Sequence, residues 1–264
     1  MKLGLDDRVA IVCGASQGMG RAVAKGLAAE GTKLVICARS EENLAAAETE
    51  IASATGTDQI LKVAADLNDP ASAPRIVAAA MDRWDRVDIL VNNTGGPPGG
   101  DPLSFTDDQW LAAIEQNFLN VVRMSREVVP HMREAGWGRI VNILALSVRQ
   151  VEDNLSLSSA TRMAVVAFVK SLSDSVAADG ITVNNVLPGS VATDRLHVVN
   201  KMQADSRGVD ADDAMAERVA RVPAGRLGRP EEMADLICFL ASERAGFLTA
   251  LNLPVDGGQL RAII

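Results

Sequence analysis

The chain of 264 residues contains no tyrosine, three cysteines and two histidines, and only 3% of its residues are aromatic. Three cysteines are too few for a disulfide scaffold. No apolar run approaches the ~20 residues that a helix needs to cross a bilayer, so we expect no membrane-spanning segment. The apolar fraction of 48% is too high for a disordered chain. These absences leave a folded domain with a large core.

Positive charge is also scarce, since the net charge is −8 and the isoelectric point is about 4.9. A nucleic-acid-binding protein would carry a basic stripe, so we expect no nucleic-acid partner. Residues 2–8 lack the apolar segment of a signal peptide, and we expect a cytoplasmic protein. Cys13, Cys37 and Cys238 each lie in an apolar stretch and are predicted to be buried, reduced thiols. No histidine or second cysteine lies at ligand spacing, so no metal site is expected.

Short β-branched runs alternate with longer, alanine-rich helical patterns along the chain. The runs are apolar nearly throughout, which is typical of a parallel sheet with both faces covered. Repetition of strand and helix at this spacing predicts a single α/β domain, a doubly wound Rossmann fold with a mainly parallel, seven-stranded sheet. The predicted strands are residues 9–13, 33–37, 60–64, 87–91, 139–144, 181–187 and 251–255.

The helices are predicted from apolar stripes at helical spacing and from capping residues. Ser40 and Asp69 are expected to cap two of them, and Pro130 to bend or break the longest. Residues 194–221 lack a strand and are rich in charge, so they form either a helical lid over the site or a solvated excursion. The predicted helices are residues 19–30, 41–54, 70–84, 107–135, 158–178 and 230–242.

A glycine-rich turn, Cys-Gly-Ala-Ser-Gln-Gly-Met-Gly at residues 13–20, joins the first strand to the first helix. Glycines at such a turn let the backbone approach a pyrophosphate, and the helix N-terminus presents free N–H groups to it. The turn therefore predicts a dinucleotide cofactor. The residues expected to bind it here are Gly14, Ser16, Gln17, Gly18 and Met19.

The end of the second strand indicates which dinucleotide is bound. An acidic residue there would bind the ribose 2′-hydroxyl of NAD. This chain has Ala38, Arg39 and Ser40 instead. Arg39 can pair with a 2′-phosphate, a contact that contributes about 1.5–3 kcal/mol, so we expect NADP(H) rather than NAD(H). The alternative is an ordinary solvated arginine.

With these motifs the chain resembles the short-chain dehydrogenase/reductase family over essentially its full length, and within it members similar to 3-oxoacyl-ACP reductases. The resemblance rests on the glycine turn, on Asn-Asn-Thr-Gly at residues 92–95, on Pro-Gly-Ser-Val-Ala-Thr at residues 188–193 and on Asp-Gly-Gly at residues 256–258. It implies a homotetramer built on the helices at residues 107–135 and 158–178. The cofactor contacts that it implies are Asp66, Leu67, Asn93, Thr94, Gly95, Arg162, Pro188, Gly189, Val191 and Thr193.

The catalytic positions depart from the family. Its members use an Asn, a Ser, a Tyr and a Lys, and the Tyr exchanges a proton with the substrate. Asn117 matches the Asn, but the Ser position falls on Ala145. The Tyr position, thirteen residues on, falls on Ser158, and the Lys position, four further, on Arg162. A serine hydroxyl is a far weaker acid than a phenol, and arginine stays charged, so the family's usual proton transfer is not available.

Other groups must then assist the chemistry. Ser158 and Arg162 share a helix face and, with Asn117, are predicted to form a donor cluster toward a developing oxyanion. The alternative is that Ser158 only caps the helix and that Arg162 contacts the cofactor or solvent. Ser147 lies two residues beyond Ala145, and on a continued strand it would orient a substrate oxygen; otherwise it is a loop serine.

Three further groups lie near the predicted site. Glu152 and Asp153 are either a proton relay or a solvated pair, and His197 is either an acid or a lid residue.

Three functions remain open. The first is an NADP(H)-dependent oxidoreductase that acts on a small-molecule carbonyl/alcohol pair with a non-standard proton donor. The second is a nucleotide-binding homologue without turnover, acting as a sensor or as the partner of an active subunit. The third is a lyase or isomerase that uses bound cofactor, which nothing in the sequence supports specifically.

Overall fold

The computed structural model describes residues 2–262, except for the side chain of Ser206. Its centre is a seven-stranded sheet in which every pairing is parallel, with strand order β3-β2-β1-β4-β5-β6-β7. The strands are β1 (Val9–Cys13), β2 (Lys33–Ala38), β3 (Ile60–Ala64), β4 (Ile89–Asn93), β5 (Gly138–Ile143), β6 (Ile181–Pro188) and β7 (Asn252–Val255). The predicted doubly wound fold is confirmed.

Helices cover both faces of this sheet, and two separate apolar cores lie between helices and strands. The helices are α1 (Gly18–Ala29), α2 (Glu41–Thr55), α3 (Ser72–Trp84), α4 (Asp107–Ile114), α5 (Asn120–Ala135), α6 (Ser156–Val176), α7 (Asp194–Arg207), α8 (Ala211–Ala220) and α9 (Pro230–Leu240). All three cysteines are buried and free, as predicted. In the described part of the chain, no helix is long and apolar enough to cross a bilayer.

The fourth strand lies two residues further along the chain than predicted, because Asn92 and Asn93 pair with β5. Their polarity suggests a loop, but the amide of Asn92 is satisfied by an asparagine ladder across four strands. Asn92 Nδ2 donates to Asn142 Oδ1 at 2.8 Å, and Asn142 Nδ2 donates to Asn185 Oδ1 at 2.9 Å. Asn185 Nδ2 donates to Asn252 Oδ1 at 2.8 Å. The ladder therefore lets buried polar residues extend the strands.

The longest predicted helix is interrupted, but not at Pro130. A π-helical segment, Glu115–Leu119, separates α4 from α5, and Pro130 lies inside an otherwise continuous α5. Proline removes only one backbone donor, and this helix tolerates the loss. The prediction of a break at Pro130 was therefore wrong, while the real irregularity turns Asn117 into the interior.

The starts of α3 and α6 differ from the prediction, whereas the start of α2 agrees with it. Ser40 caps α2 as predicted, since its Oγ accepts from the Asn43 backbone N–H at 3.2 Å. Asp69 instead accepts from the backbone N–H of Ala71 at 3.0 Å, so α3 begins only at Ser72. The sixth helix begins at Ser156, two residues before the prediction. The charged segment at residues 194–221, expected either as a helical lid or as a solvated excursion, folds as two helices, α7 and α8.

Candidate active site

The glycine turn lies at the carboxyl edge of the sheet, between β1 and β4, where the strand order reverses. Crevices at such switch points are where α/β sheets bind ligands. Gly14 and Gly18 adopt φ values of +59° and +55°, which side chains rarely allow. A Cβ on Gly20 would overlap the carbonyl oxygen of Gly14. The turn is thus closed by glycines, and its third glycine allows α1 to start against β1.

The N-terminus of α1 is open to a ligand. Its N-cap is Gln17, whose side chain makes no capping hydrogen bond, and its first turn holds no acidic residue. Side chains cap α2, α4 and α7, whereas α3 and α6 also begin without a side-chain cap, so α1 is distinguished by its place directly after the glycine turn. Uncapped N–H groups and the helix dipole suit a pyrophosphate. These residues therefore fit a dinucleotide, with the phosphates over Gly18 and Met19.

The predicted adenosine contacts surround the ends of β2 and β3. Arg39 follows β2 and is exposed, with no side-chain hydrogen bond or ion pair to any described residue. Asp66 is exposed and accepts from the Asn68 backbone N–H at 3.0 Å, while Leu67 packs against the core. A solvent-facing arginine with no partner is available for a 2′-phosphate.

A chain of side chains joins the glycine turn to α6. Asn93 Nδ2 donates to the Gly14 carbonyl oxygen at 3.2 Å, which holds the turn against β4. Next to it, Thr94 Oγ1 donates to Asn117 Oδ1 at 3.4 Å, and Asn117 Nδ2 donates to Thr161 Oγ1 at 3.0 Å. Asn117 is 1% exposed. Its amide is thus engaged by two threonines rather than by Ser158 or Arg162.

Ser158 and Arg162 form the pair that the spacing predicts. Arg162 Nε donates to Ser158 Oγ at 3.1 Å, and Nη1 donates to the Ile143 carbonyl oxygen at the end of β5, also at 3.1 Å. The residues are 8% and 6% exposed. Burial lowers the pKa of the Arg162 guanidinium to about 10. At neutral pH the site therefore holds a buried positive charge whose hydrogen-bond acceptors, among the described residues, are all neutral.

Two expectations about the serines need correction. Ser158 does not cap the helix, because α6 begins at Ser156 with Leu155 as its N-cap. Ser147 does not continue a strand, because β5 ends at Ile143 and Leu146–Val148 forms a turn of 3₁₀ helix. The shared-face argument for Ser147 and Ala145 was therefore wrong. Ser147 still lines a cavity of about 480 Å³ between β5 and α6.

The segment after β6 approaches the glycine turn from the other side. The backbone N–H of Gly189 donates to Val255 at 3.0 Å, and Val191 forms an isolated bridge with Gly228. Thr193 caps α7 by accepting from the Leu196 backbone N–H at 3.2 Å. A Cβ on Gly18 would contact Thr193. Both walls of the predicted cofactor crevice are thus present.

The remaining candidates lie further from the buried pair. His197 is exposed on α7, and Asp153 is exposed on the loop before α6. Glu152 Oε1 accepts from Gln150 Nε2 at 2.7 Å. In the described part of the chain no cluster of three His, Cys, Asp or Glu residues could hold a metal ion.

Comparison with known proteins gives the family. Residues 14–259 match the Enoyl-(Acyl carrier protein) reductase family. The chain belongs to the short-chain dehydrogenase/reductase family. It is 36% identical over 255 residues to a putative ketoacyl reductase of Streptomyces coelicolor, covering 96% of this chain and 97% of that protein. It is also 36% identical over 257 residues to the 3-oxoacyl-(acyl-carrier-protein) reductase of Escherichia coli, covering 97% and 99%.

A solved structure is similarly close. The L-sorbose reductase of Gluconobacter frateurii, complexed with NADPH and L-sorbose, superimposes with a TM-score of 0.94 at 30% identity over 100% of both chains. This short-chain dehydrogenase/reductase is therefore homologous to oxidoreductases, and its relatives include reductases.

Two residues of the site were missed in the sequence. Thr161 joins Asn117 to α6, and Ser156 lines the cavity beside Ser147. Serine and threonine are ordinary in the first turns of a helix, so neither residue gave a signal. The only sequence feature that could have indicated Thr161 is its position within one helical turn of both Ser158 and Arg162. In the structure all three residues are buried.

Proposed function

We propose that this protein is an NADP(H)-dependent oxidoreductase that interconverts a carbonyl compound and its alcohol, with Ser158 and Arg162 in place of a tyrosine and a lysine. The observation that carries the proposal is the buried hydrogen bond between Arg162 Nε and Ser158 Oγ. It keeps two donors at the positions where the family has its proton donor and its lysine.

The cofactor preference rests on two observations. Arg39 is exposed at the end of β2 without a partner among the described residues, and its neighbours Ala38 and Ser40 carry no charge. The L-sorbose reductase with the similar fold was solved with NADPH. The uncapped N-terminus of α1, with Gly14, Ser16 and Gln17 before it, would receive the pyrophosphate. The bound nicotinamide would supply the hydride.

The chain's own residues would manage the proton and the charge. Because Ser158 Oγ accepts from Arg162, its hydroxyl hydrogen is left to donate to a substrate carbonyl oxygen. As the oxygen gains negative charge, the buried guanidinium stabilises it from behind the serine. The substrate oxygen would take the Ser158 proton as the carbonyl carbon takes the hydride, and Ser158 would regain a proton from solvent water, which leaves as hydroxide. Arg162 itself stays protonated, because its pKa is about 10.

Asn117 would act as a positioning residue. Its amide links Thr94, after β4, to Thr161 on the turn of α6 that carries the pair. We assign it no contact with the substrate. Ser147, a residue that lines the pocket after β5, would orient the substrate.

The test is a panel of ketones, aldehydes and alcohols assayed with NADPH, NADH and their oxidised forms. We expect reduction of at least one carbonyl compound, with NADPH preferred. Tight NADPH binding without turnover of any panel member would contradict the proposal.

That result would favour the second candidate, a nucleotide-binding homologue without redox turnover. The observation in its favour is that Ser158 and Arg162 offer no group that titrates near neutral pH. Its test is co-purification with a second short-chain subunit. Recovery of a homo-oligomer that oxidises NADPH with a carbonyl compound would eliminate it.

We also infer a homotetramer in the cytoplasm, as the family resemblance implies. On the two helices expected at its interface, Leu111 and Met163 are 62% and 51% exposed. Val166 and Phe168 on α6 are partly buried against the core. Light scattering of the wild type and of Met163→Glu tests this, since a charge at the interface should lower the mass. An unchanged monomeric mass in both would refute it.

A further inference from the structure

The guanidinium of Arg162 carries a positive charge that no acidic side chain in the described part of the chain balances. Its two hydrogen bonds go to the hydroxyl of Ser158 and to the carbonyl oxygen of Ile143, which are both neutral. Burial lowers the pKa of Arg162, and no carboxylate among the described residues opposes this shift. A buried charge without a partner costs free energy, so a counter-charge brought by a ligand would stabilise the site.

A second buried arginine of the same sheet is compensated by the protein itself. Arg139 is 4% exposed, and burial lowers its pKa to about 10 as well. It donates to three backbone carbonyl oxygens, and its guanidinium carbon lies 4.3 Å from the ring centroid of Trp137. The carboxylate of Glu243 partly opposes the shift of its pKa. Arg139 lies near the start of β5, whereas Arg162 contacts the end of that strand, so only the charge at the carboxyl edge lacks compensation.

One nitrogen of the Arg162 guanidinium is left for a ligand. Nε and Nη1 make the two hydrogen bonds, and Nη2 makes none to a described residue. Nη2 also keeps some accessible surface, although the residue as a whole is only 6% exposed. Because Ile143 ends β5, the guanidinium lies at the carboxyl edge of the sheet, the edge that carries the glycine turn. A ligand that enters at this edge can therefore reach Nη2.

The chemistry of this nitrogen indicates an anionic ligand. A guanidinium has donors only, and its strongest hydrogen bonds are those to carboxylates and phosphates. A ribose hydroxyl of the cofactor could accept from Nη2, but it is neutral and would leave the charge of Arg162 unbalanced. The oxidised nicotinamide ring is itself positive and would increase the imbalance. The substrate is therefore the component that can supply the negative charge.

We propose that Nη2 of Arg162 binds a carboxylate on the carbon next to the reacting carbonyl, so that the preferred substrates are 2-oxo acids. The proposal rests on the proposed oxidoreductase function. Nε, which holds Ser158, and Nη2 are attached to the same guanidinium carbon. A carbonyl oxygen at Ser158 and a carboxylate at Nη2 therefore fit neighbouring atoms of one small molecule. The reaction is unchanged: the carbonyl carbon takes the hydride, its oxygen takes the proton, and the carboxylate is only bound.

The test compares 2-oxohexanoate with its uncharged amide, 2-oxohexanamide, which has nearly the same shape. We measure kcat/KM for both with NADPH in the wild type, Arg162→Met and Arg162→Lys. The wild type should favour the acid by about ten- to a hundredfold, because the amide loses a charge-assisted hydrogen bond. Arg162→Met should bring the ratio to one or below, and Arg162→Lys should keep part of the preference. The ratio within one variant is insensitive to the fraction of protein that folds.

The control is Arg139→Met, which removes an equally buried guanidinium at the opposite edge of the sheet. Its ratio of acid to amide should equal that of the wild type. A change as large as in Arg162→Met would overturn the proposal, and so would a wild type that does not favour the acid. Formate is added to the amide assay as a free anion. Reduction of the amide that formate raises to the level of the acid would assign the counter-charge to a free anion and also overturn the proposal.

A second readout separates this proposal from the proposed function. Oxamate, a 2-oxo acid analogue, is titrated calorimetrically into protein saturated with NADPH. We expect binding to the wild type and to Arg139→Met, weakened at least about tenfold in Arg162→Met. Such binding without turnover of any carbonyl compound supports the carboxylate site and refutes the oxidoreductase function. Turnover of acid and amide without preference supports the function and overturns the site. Weaker NADPH binding in Arg162→Met, with oxamate binding and the ratio unchanged, would assign Arg162 to the cofactor alone and overturn the proposal.

Discussion

Replacing Arg162 by methionine removes the charge of the catalytic pair while keeping an unbranched side chain in a buried place. Two hydrogen bonds are lost, one to Ser158 Oγ and one to the Ile143 carbonyl oxygen, each 3.1 Å long. Hydrogen bonds from a charged donor contribute about 1.5–3 kcal/mol each, so their loss costs about 3–6 kcal/mol.

Removing the charge has an opposite effect on stability. Burial lowers the pKa of Arg162 to about 10, which corresponds to about 3 kcal/mol of unfavourable desolvation at neutral pH. Because the folded protein binds this proton less tightly than the unfolded chain, that penalty is complete below about pH 10 and disappears as the pH rises above it. Arg162→Met should therefore lower the free energy of unfolding by only about 0–3 kcal/mol, measured in urea at pH 7.

The effect on the reaction should be larger. Loss of a preorganised donor at a developing oxyanion costs roughly 10²–10³-fold in rate. We expect that decrease in kcat/KM for Arg162→Met, measured by NADPH oxidation with a carbonyl compound from the panel. Arg162→Lys keeps the charge and should remain within about tenfold of the wild type. A folded Arg162→Met protein with kcat/KM within about threefold of the wild type would refute the mechanism.

Three other predictions follow from the site. Arg39→Ala should reduce the ratio of NADPH to NADH affinity by roughly ten- to a hundredfold, measured by fluorescence titration; an unchanged ratio would contradict the 2′-phosphate contact. The pH profile of kcat/KM should be flat between about pH 6 and 9, because Ser158 and Arg162 do not titrate there. Ser158→Tyr with Arg162→Lys should introduce a slope, and an inflection near pH ~6.5 in the wild type would instead indicate a histidine. Gly20→Ala should cost about 1–3 kcal/mol in urea unfolding and weaken NADPH binding, because its Cβ overlaps a carbonyl oxygen of the turn. Gly96→Ala, which meets no atom within 4 Å, is the control, and equal losses in both would exclude the steric explanation.

The elements that could be predicted are those whose sequence pattern is compatible with only one kind of structure. Strands buried on both faces must be apolar throughout, and a glycine turn between strand and helix has few uses. The end of β4 was missed because Asn92 and Asn93 are polar, and their burial depends on amides from other strands. No local pattern contains that information.

The catalytic region was predictable only in part. The pairing of Ser158 with Arg162 followed from helical spacing, since residues four apart share a face. The role of Asn117 could not be inferred in the same way, because the π-helical segment changes the direction of its side chain. The orientation of Ser147 depended on how far β5 continues, and the strand ends four residues earlier. Irregular backbone near a site follows from tertiary packing rather than from local propensity.

The asparagine ladder has a consequence for how the carboxyl edge of the sheet is assembled. A shift of one of the strands β4 to β7 by a single residue would send its amide to the opposite face and leave its neighbours unpaired in the interior. Alternative alignments of these strands are thereby penalised, although they are separated along the chain. The strand ends, where the loops begin, therefore cannot shift along the strand direction by even one residue, which is about 3.3 Å. The distance between the two halves of the catalytic centre is therefore set by amides that lie one residue before the ends of β4 and β5.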